Sequence, residues 1–274
     1  THVIRGDDHV ENTYRHVALF QALDAPVPKY AHLPMIVNAQ GKPYSKRDGA
    51  AYVGEFREKG YLPQALFNYL ALLGWSPGGD REYMTREEMV RLFTLDRVQS
   101  SPAQVDLKKL DWMNGEHMKA LPKDVREEKC RAVLVARGIW NDSISPEYFS
   151  KVIEVMGERI KFFGDIDQAG YFFTEDYPYD PKAVEKRLKK EGGMDGLRAM
   201  LETYRSLDPF TAESTEAALR KLAEGRGVGM GDMVHPVRVA VSGSGIGPSL
   251  FHMLEVLGKD RVIRRMEKTL AQFG

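Results

Sequence analysis

Helical periodicity is the feature that most limits the folds open to this chain, because it fills almost everything after residue 50. From Leu62 to Leu73, apolar side chains recur three and four residues apart, the spacing of an amphipathic helix, and Gly74 fits its end. Helix-start signals stand at Thr85, Asp106 and Ser145. Further helices are predicted over 125–137, 181–190, 195–206, 211–224, 232–241, 249–257 and 259–273. The pattern predicts a mainly α fold.

The first fifty residues follow a different pattern. Val3 and Ile4, closed by Gly6, predict a short buried strand with polar groups at its carboxyl end, and residues 11–24 have helical character. A second apolar run, His32 to Val37, leads into a basic loop. Strand, helix, strand and loop make one α/β unit. In open parallel sheets ligands bind at the carboxyl ends of the strands, so a binding site is expected there.

The basic loop runs from Gly41 to Gly49 and contains Lys42, Ser45, Lys46 and Arg47. Glycines let a loop adopt unusual backbone shapes, and the cationic side chains can donate to phosphate oxygens. The loop departs from the Walker pattern, which has a glycine, four residues, then Gly-Lys-Ser/Thr. Taken by itself, the loop fits a solvated basic turn better than a nucleotide site. Both interpretations stay open at this point.

Composition limits the remaining possibilities. The 274 residues are enough for two domains, and 39 basic residues balance 39 acidic ones, so net charge does not indicate nucleic-acid binding. The single cysteine, Cys130, excludes an internal disulfide, fits a small core residue in a helix, and suits the reducing cytoplasm. Among these residues no stretch has the length of a membrane span, and none has the pattern of a signal peptide. The chain opens at Thr1 almost inside a strand, so we expect it to be part of a longer protein.

Several segments, in the expected order along the chain, resemble class I aminoacyl-tRNA synthetases of the bacterial glutamyl-tRNA synthetase family. They span essentially the whole chain: Ile4 to His9, His32 to Ile36, Tyr44 to Arg47, Phe67 to Ser76, Leu110 to Gly115, Phe173 to Tyr177 and Leu250 to Arg261. The resemblance implies the end of a Rossmann-like catalytic domain over 1–50. An α-helical stem-contact domain over 51–118 and an α-helical anticodon-binding domain over 119–274 would follow. The family's HIGH motif is absent.

The resemblance also implies a reaction and its partners. ATP and glutamate form glutamyl-adenylate and pyrophosphate, and the acyl group then moves to a glutamate-accepting tRNA. ATP enters with Mg²⁺ as a substrate complex, with no tightly bound metal on the protein, and the protein is expected to be a monomer. One alternative is a tRNA-binding module without catalytic activity. A glutaminyl enzyme is a weaker alternative, because its bacterial form has C-terminal β-barrels and this chain has helical patterns.

The same resemblance assigns the basic loop a role. Tyr44 to Arg47 stands where the family has its KMSKS loop, which closes over the ATP phosphates. Lys46 is therefore the candidate catalytic cation, with Ser45 and Lys42 as further ATP contacts. The family's first lysine corresponds to Pro43, so Lys42 would have to replace it from one position earlier. The competing interpretation of Lys46 is a solvated surface lysine.

The resemblance also implies that residues at the carboxyl ends of the strands bind the small substrates, glutamate and ATP. Arg5 would bind the side-chain carboxylate of glutamate through its guanidinium fork, with His9 beside it. The alternative for Arg5 is a structural ion pair with Asp7 or Asp8. The family pattern places Asp8 near ATP. It also makes Met35 and Ile36 the adenine-contacting pair, which is compatible with a place in a core strand.

Two arginines in the helical half are the candidate anticodon readers. Arg159 corresponds to the family's reader of the third anticodon base, and Arg238 to its reader of the middle base. Arginine is well suited to base edges and phosphates, and RNA loops present unstacked bases. Leu250 matches an apolar contact in the same pocket, whereas Gly247 replaces a polar family residue. The competing interpretation is that both arginines lie on solvated helix faces.

Overall fold

The computed structural model describes residues 1–274, which divide into two compact units, Thr1–Leu121 and Pro122–Gly274. Unit 1 contains β1 (His2–Gly6), α1 (Val10–Ala22), β2 (Lys29–Leu33), β3 (Ile36–Val37), α2 (Val53–Glu58), α3 (Pro63–Leu72), α4 (Arg86–Leu92), β4 (Ala103–Gln104) and α5 (Leu107–Ala120). Unit 2 contains α6 (Lys123–Ala136), α7 (Pro146–Met156), α8 (Pro181–Ala183), α9 (Gly193–Ser206), α10 (Ala212–Gly225), α11 (Met230–Ser242), α12 (Leu250–Leu257) and α13 (Lys259–Phe273). No helix is both long and apolar enough to cross a membrane.

Two small parallel sheets form the α/β part of unit 1. Strand β1 pairs with β2 so that Arg5 lies beside His32, and β3 pairs with β4. The predicted strand at Val3 and Ile4 is confirmed, but its predicted burial is wrong, because Ile4 is 48% exposed. The single crossover helix α1 can cover only one face of this two-stranded sheet, so side chains on the other face stay exposed. The short β4 was not predicted, since two residues carry no readable periodicity.

The helical core of unit 1 lies between α3 and α5. Leu66 and Tyr69 pack against Leu110 and Met113. A buried amide on each helix completes the contact with the neighbouring loops. The Asn68 side chain donates to the Glu82 carbonyl (3.0 Å) and accepts from the Met84 N–H (2.9 Å), and the Asn114 oxygen accepts from the Leu62 N–H (2.8 Å). Buried amides must be hydrogen-bonded, so these contacts set how the loops meet the helices.

The predicted helix starts are confirmed in detail. The Thr85 hydroxyl accepts from the Glu88 N–H (3.2 Å), and the Glu88 carboxylate accepts from the Thr85 N–H (2.9 Å), a reciprocal capping box. Asp106 caps α5 through the N–H groups of two lysines, and Ser145 caps α7. Observed helix bounds differ from the predicted ones by one or two residues, as is usual at frayed ends.

Unit 2 is built from helices alone. Helix α9 packs against α11 and α13, with Leu197, Met200 and Tyr204 on its buried face. Cys130 on α6 is fully buried, as expected for a small core residue, and burial raises the pKa of its thiol to about 12. The predicted helix over 181–190 is broken into α8 and a π-helical turn, Val184–Leu188.

A ten-residue 3₁₀ helix, Phe163–Phe172, was not predicted. Long 3₁₀ segments are uncommon and lack a sequence signature of their own. The division at residue 121 lies three positions beyond the predicted boundary at 118, and the contact-based units do not separate 1–50 from 51–118. The three-domain division stays a prediction.

Candidate functional site

Arg5 lies at the centre of a hydrogen-bonded cluster at the carboxyl end of β1. Its Nη2 donates to the Thr13 hydroxyl (2.7 Å) and to the His9 carbonyl (3.3 Å). Thr13, on α1, also contacts His32 Nε2 (2.9 Å), and Arg5 lies over the Tyr30 ring at 5.5 Å. The parallel pairing of β1 with β2 makes this possible, because it brings both strand ends to one edge. Arg5 thus contacts the backbone of His9, and the predicted role of His9 toward glutamate stays a prediction.

The ion-pair alternative for Arg5 is not what the structure contains. Neither Asp7 nor Asp8 pairs with the guanidinium, and Asp8 lies instead 3.8 Å from His9 Nε2. The Arg5 Nε is buried and has no hydrogen-bond partner. An oriented guanidinium that lacks a carboxylate partner retains its capacity to bind an anionic ligand. Its predicted role toward glutamate stays a prediction.

The basic loop is an ordered hairpin closed by a pair of polar side chains. The Asn38 amide donates to Asp48 Oδ1 (2.8 Å), and Asp48 Oδ2 accepts from the Ser45 N–H (2.9 Å) and hydroxyl (2.8 Å). The Asn38 oxygen in turn accepts from the Lys42 N–H (3.0 Å). The bonds from Asn38 and Ser45 lower the pKa of Asp48 below its ordinary value of 3.8. Asp48 therefore stays ionised and holds both sides of the loop.

The three cations of the hairpin extend away from this closure. Lys42, Lys46 and Arg47 are exposed, and none of them makes an ion pair or a side-chain hydrogen bond. Ser45, by contrast, uses its hydroxyl to hold Asp48. Free cations on an ordered hairpin suit a phosphate ligand. The observation also fits a solvated basic turn, so the roles of Lys42, Ser45 and Lys46 stay predictions.

Met35 and Ile36 lie beside the hairpin, and the backbone carbonyl of each accepts a hydrogen bond from another backbone N–H. The Met35 carbonyl accepts from the Ala103 N–H (2.9 Å), and the Ile36 carbonyl accepts from the Tyr44 N–H (2.9 Å). Ile36 is 38% exposed, so its side chain is available to pack on a ring. The predicted adenine contact of Met35 and Ile36 stays a prediction.

Arg159 and Arg238 lie in one electrostatic environment in unit 2. Arg238, on α11, donates from Nη1 to the Pro248 carbonyl (2.7 Å) and is half-buried. Burial and then the like charge of Arg159 lower the pKa of Arg238, while the nearby Tyr171 opposes them. The guanidinium keeps its charge, because arginine is not deprotonated in proteins. The structure thus brings the two predicted anticodon arginines together around Tyr171.

The loop after α11 borders Arg238. A side chain built on Gly247 would begin 2.8 Å from Arg238 Nη1, so the glycine leaves space for the guanidinium where it contacts Pro248. Leu250 is only 2% exposed and packs in the core at the start of α12. It has little surface left for a base contact in this conformation, and its anticodon role stays a prediction.

Comparison with known proteins agrees with this layout. The family model for the class I tRNA synthetase (E and Q) catalytic domain matches residues 1–112, and the anticodon binding domain model matches residues 115–270. Glutamate–tRNA ligase 2 of Thermoanaerobacter pseudethanolicus is 39% identical over 271 residues, 98% of this chain and 57% of its own length. The chain belongs to the class I tRNA synthetases of the E and Q type, with their anticodon binding domain.

Two further relatives show the same extent of similarity. The glutamate–tRNA ligase of Desulforudis audaxviator is 39% identical over 280 residues, covering all of this chain and 56% of its own length. The crystal structure of a glutamate–tRNA ligase from Elizabethkingia meningosepticum, in complex with its amino acid, superposes with a TM-score of 0.82 at 30% identity. That alignment covers all of this chain and 57% of the solved one. The chain spans somewhat more than half the length of the family members it matches.

Some residues of the site were missed by sequence reasoning. Thr13, which links Arg5 to His32, and the pair of Asn38 and Asp48 carry no local signal, because their partners lie ten or more positions away or on another element. Tyr171 has a buried hydroxyl without a hydrogen-bond partner. It lies in the unpredicted 3₁₀ helix.

Arg265, on α13, is another residue that was missed. It is 1% exposed and donates to the carbonyls of Val241, Tyr171 and Thr174, which holds the 3₁₀ helix against α11 and α13. Its position among apolar residues of an amphipathic helix was the one available signal. No group of three or more His, Cys, Asp or Glu side chains is arranged to hold a metal ion.

Proposed function

We propose that this chain provides the KMSKS-like loop and the anticodon-reading domain of a glutamate–tRNA ligase. The enzyme attaches glutamate to tRNA through glutamyl-adenylate, at the expense of ATP bound with Mg²⁺. The observation that carries the proposal is similarity along the whole chain to glutamate–tRNA ligases, at 38–39% identity, through both family domains. The free cations of the hairpin and the oriented Arg5 support it.

The proposed chemistry assigns each group a task. Arg5 binds the side-chain carboxylate of glutamate and thereby selects it over neutral glutamine. The glutamate α-carboxylate attacks the α-phosphate of ATP, pyrophosphate leaves, and Lys46, with Lys42, offsets the negative charge that builds on the phosphates. A ribose hydroxyl of the tRNA then attacks the acyl carbonyl and AMP leaves. Neither step needs a protein nucleophile.

The tRNA end of the proposal depends on unit 2. Arg159 and Arg238 present two guanidinium groups to the anticodon loop, where unstacked bases offer their edges. The helical C-terminal half favours a glutamyl over a glutaminyl enzyme. We also propose that the protein acts as a monomer in the cytoplasm, where its single buried cysteine would stay reduced.

The test separates catalysis from binding. Residues 1–274 contain no HIGH motif, so we expect them to bind tRNA without catalysing ATP–pyrophosphate exchange by themselves. Binding that prefers glutamate tRNA supports the proposal. Equal affinity for every tRNA would contradict it. The alternative of a tRNA-binding module gains support if a longer form that includes the HIGH motif also lacks exchange.

A further inference from the structure

A small cavity of unit 2 lies where the π-helical turn, Val184–Leu188, meets the starts of α9 and α11. Its volume is about 180 Å³. Whole small-molecule ligands usually occupy cavities of about 300–1,000 Å³, so this one suits a more compact group. Three separate segments of the chain line it. The charged and titratable side chains among the lining residues are Arg187, Lys190, Glu191, Arg226, Asp232 and His235.

Two arginines of the cavity have no protein partner for their charge. Arg187 is half-buried and Arg226 is exposed, and neither makes an ion pair or a side-chain hydrogen bond. Lys190, by contrast, is paired with Asp232 at 2.8 Å. The remaining carboxylate, Glu191, is exposed and pairs with neither arginine. The cavity therefore has two free guanidinium groups, the donors that best match a planar or tetrahedral oxyanion.

The backbone around Arg187 is held in place by Gly193, the first residue of α9. A Cβ built on Gly193 would lie 2.5 Å from the Arg187 carbonyl and 2.6 Å from the Leu188 carbonyl, so a larger residue would force the two segments apart. The Gly193 N–H donates to the Lys190 carbonyl (2.8 Å), which closes the connection into α9. The cavity is therefore part of the packed backbone and does not depend on loose side chains.

His235, on α11, offers the cavity an N–H donor. Its Nδ1 is buried without a hydrogen-bond partner, whereas its Nε2 is accessible and makes no hydrogen bond with the protein. A proton on Nδ1 would lack an acceptor, so the neutral ring carries it on Nε2. Burial, then Arg187 and then Arg238 lower the pKa of His235 from its ordinary 6.5. Lys190 acts in the same direction and Asp232 in the opposite one.

We propose that this cavity binds one phosphate group, which accepts hydrogen bonds from Arg187, Arg226 and His235. Phosphate fits the cavity because it is compact, negatively charged and able to accept from several donors at once. Two sources can supply such a group, a backbone phosphate of tRNA or a small phosphorylated anion. The first source rests on the proposed function, whereas the second is independent of it.

The first test uses inorganic phosphate as the probe, added to the full chain at constant ionic strength. NMR of the His235 ring should show a saturable shift and a raised pKa, because a nearby anion favours the charged ring. Arg187→Gln should weaken phosphate binding at least tenfold, since it removes charged hydrogen bonds. Lys186→Gln is the matched control, because Lys186 is an exposed neighbour on the same turn that does not line the cavity. It should bind phosphate like the wild type.

The second test separates the two sources. The affinity for tRNA is measured at several salt concentrations for the wild type and for both variants. If a backbone phosphate fills the cavity, Arg187→Gln lowers the salt slope by about one and Lys186→Gln does not, whether or not free phosphate binds. If free phosphate binds and all three chains bind tRNA alike, the source is a small phosphorylated anion. Arg226→Gln, at an exposed position, takes the place of Arg187→Gln if that variant does not fold.

The assignment is overturned if phosphate leaves the His235 signal unchanged and both variants bind tRNA equally. That result leaves the proposed function intact when the wild type still prefers glutamate tRNA. A wild type without any such preference, in which phosphate still shifts the His235 signal, would contradict the proposed function and leave the phosphate site in place.

Discussion

Lys46 and Arg5 are held in two different ways, and each way suits the anionic ligand that we propose for it. Lys46 is exposed on its hairpin without a protein partner, so its side chain is free to adjust to the phosphates of the proposed reaction. Arg5 is held by Thr13 and by the His9 carbonyl, so its guanidinium keeps one orientation. A mobile cation suits charge that develops, whereas an oriented fork suits selection of a carboxylate.

Lys46→Ala should lower the rate of adenylate formation about a hundredfold, or about 3 kcal/mol, and leave tRNA affinity unchanged. The proposed role of the lysine is to offset negative charge that develops on the phosphates, which is why we expect an effect on rate and none on tRNA binding. The measurement is pre-steady-state adenylate formation in an active form of the enzyme that carries this hairpin. Lys59→Ala, which removes another exposed lysine of unit 1, is the control. Equal rates for the two variants would make Lys46 a surface residue only.

Arg5→Gln should weaken glutamate binding roughly ten- to a hundredfold and leave ATP affinity nearly unchanged. An amide cannot replace a charged fork toward a carboxylate. Calorimetric titration of each substrate measures both effects, and Arg15→Gln on the exposed side of α1 serves as the control. Parallel losses for glutamate and ATP would indicate that Arg5 supports the fold of the cluster instead.

Arg238→Ala should cost about 1–3 kcal/mol of binding to glutamate tRNA and relax discrimination at the middle anticodon base. Arg159→Gln should relax discrimination at the third base, because an amide presents a different donor and acceptor pattern. Titrations use tRNAs altered one anticodon base at a time. Arg220→Ala, on α10, controls for general loss of charge. A uniform loss for all tRNAs would identify phosphate contacts.

At the scale of the element, the basic hairpin depends on Asp48 being ionised. Its pKa is lowered in the folded state, so its contribution to hairpin order is complete above the ordinary value of 3.8 and is lost as pH falls through the lower folded value. Asn38→Ala removes the largest cause of the shift and should move the pKa of Asp48 upward. NMR titration of the Asp48 carboxyl measures it. An unchanged pKa of Asp48 in the variant would contradict the conclusion that the Asn38 side chain binds Asp48 and closes the hairpin.

At the scale of the whole molecule, unit 2 has a core of its own, with α9 packed against α11 and α13. Residues 122–274 should therefore unfold cooperatively and bind tRNA by themselves. The binding constant should fall linearly with salt on logarithmic axes, since phosphate contacts release counterions. Circular dichroism and titrations at several salt concentrations test this. A chain that is unfolded, or whose binding does not respond to salt, would contradict it.

Local physical chemistry explains what was predictable from the sequence alone. Helices with a clear apolar face, and caps such as Thr85 with Glu88, were predicted because every residue that specifies them lies within one or two turns. The family resemblance, read from the order of short segments, provided the candidate residues. The exposure of Ile4 was missed, because the sequence of a strand does not state how many elements cover its sheet.

Only the tertiary structure decided which residues meet. Thr13 joins Arg5 to His32 across two strands and a helix, and Tyr171, from a segment without regular periodicity, comes within range of the charges of Arg159 and Arg238. Such contacts depend on strand register and helix packing. Both are determined by interactions throughout the unit rather than by neighbouring residues in the sequence. The sequence by itself determined the helices, their caps and the candidate cations. Long-range packing determined the partner of each cation.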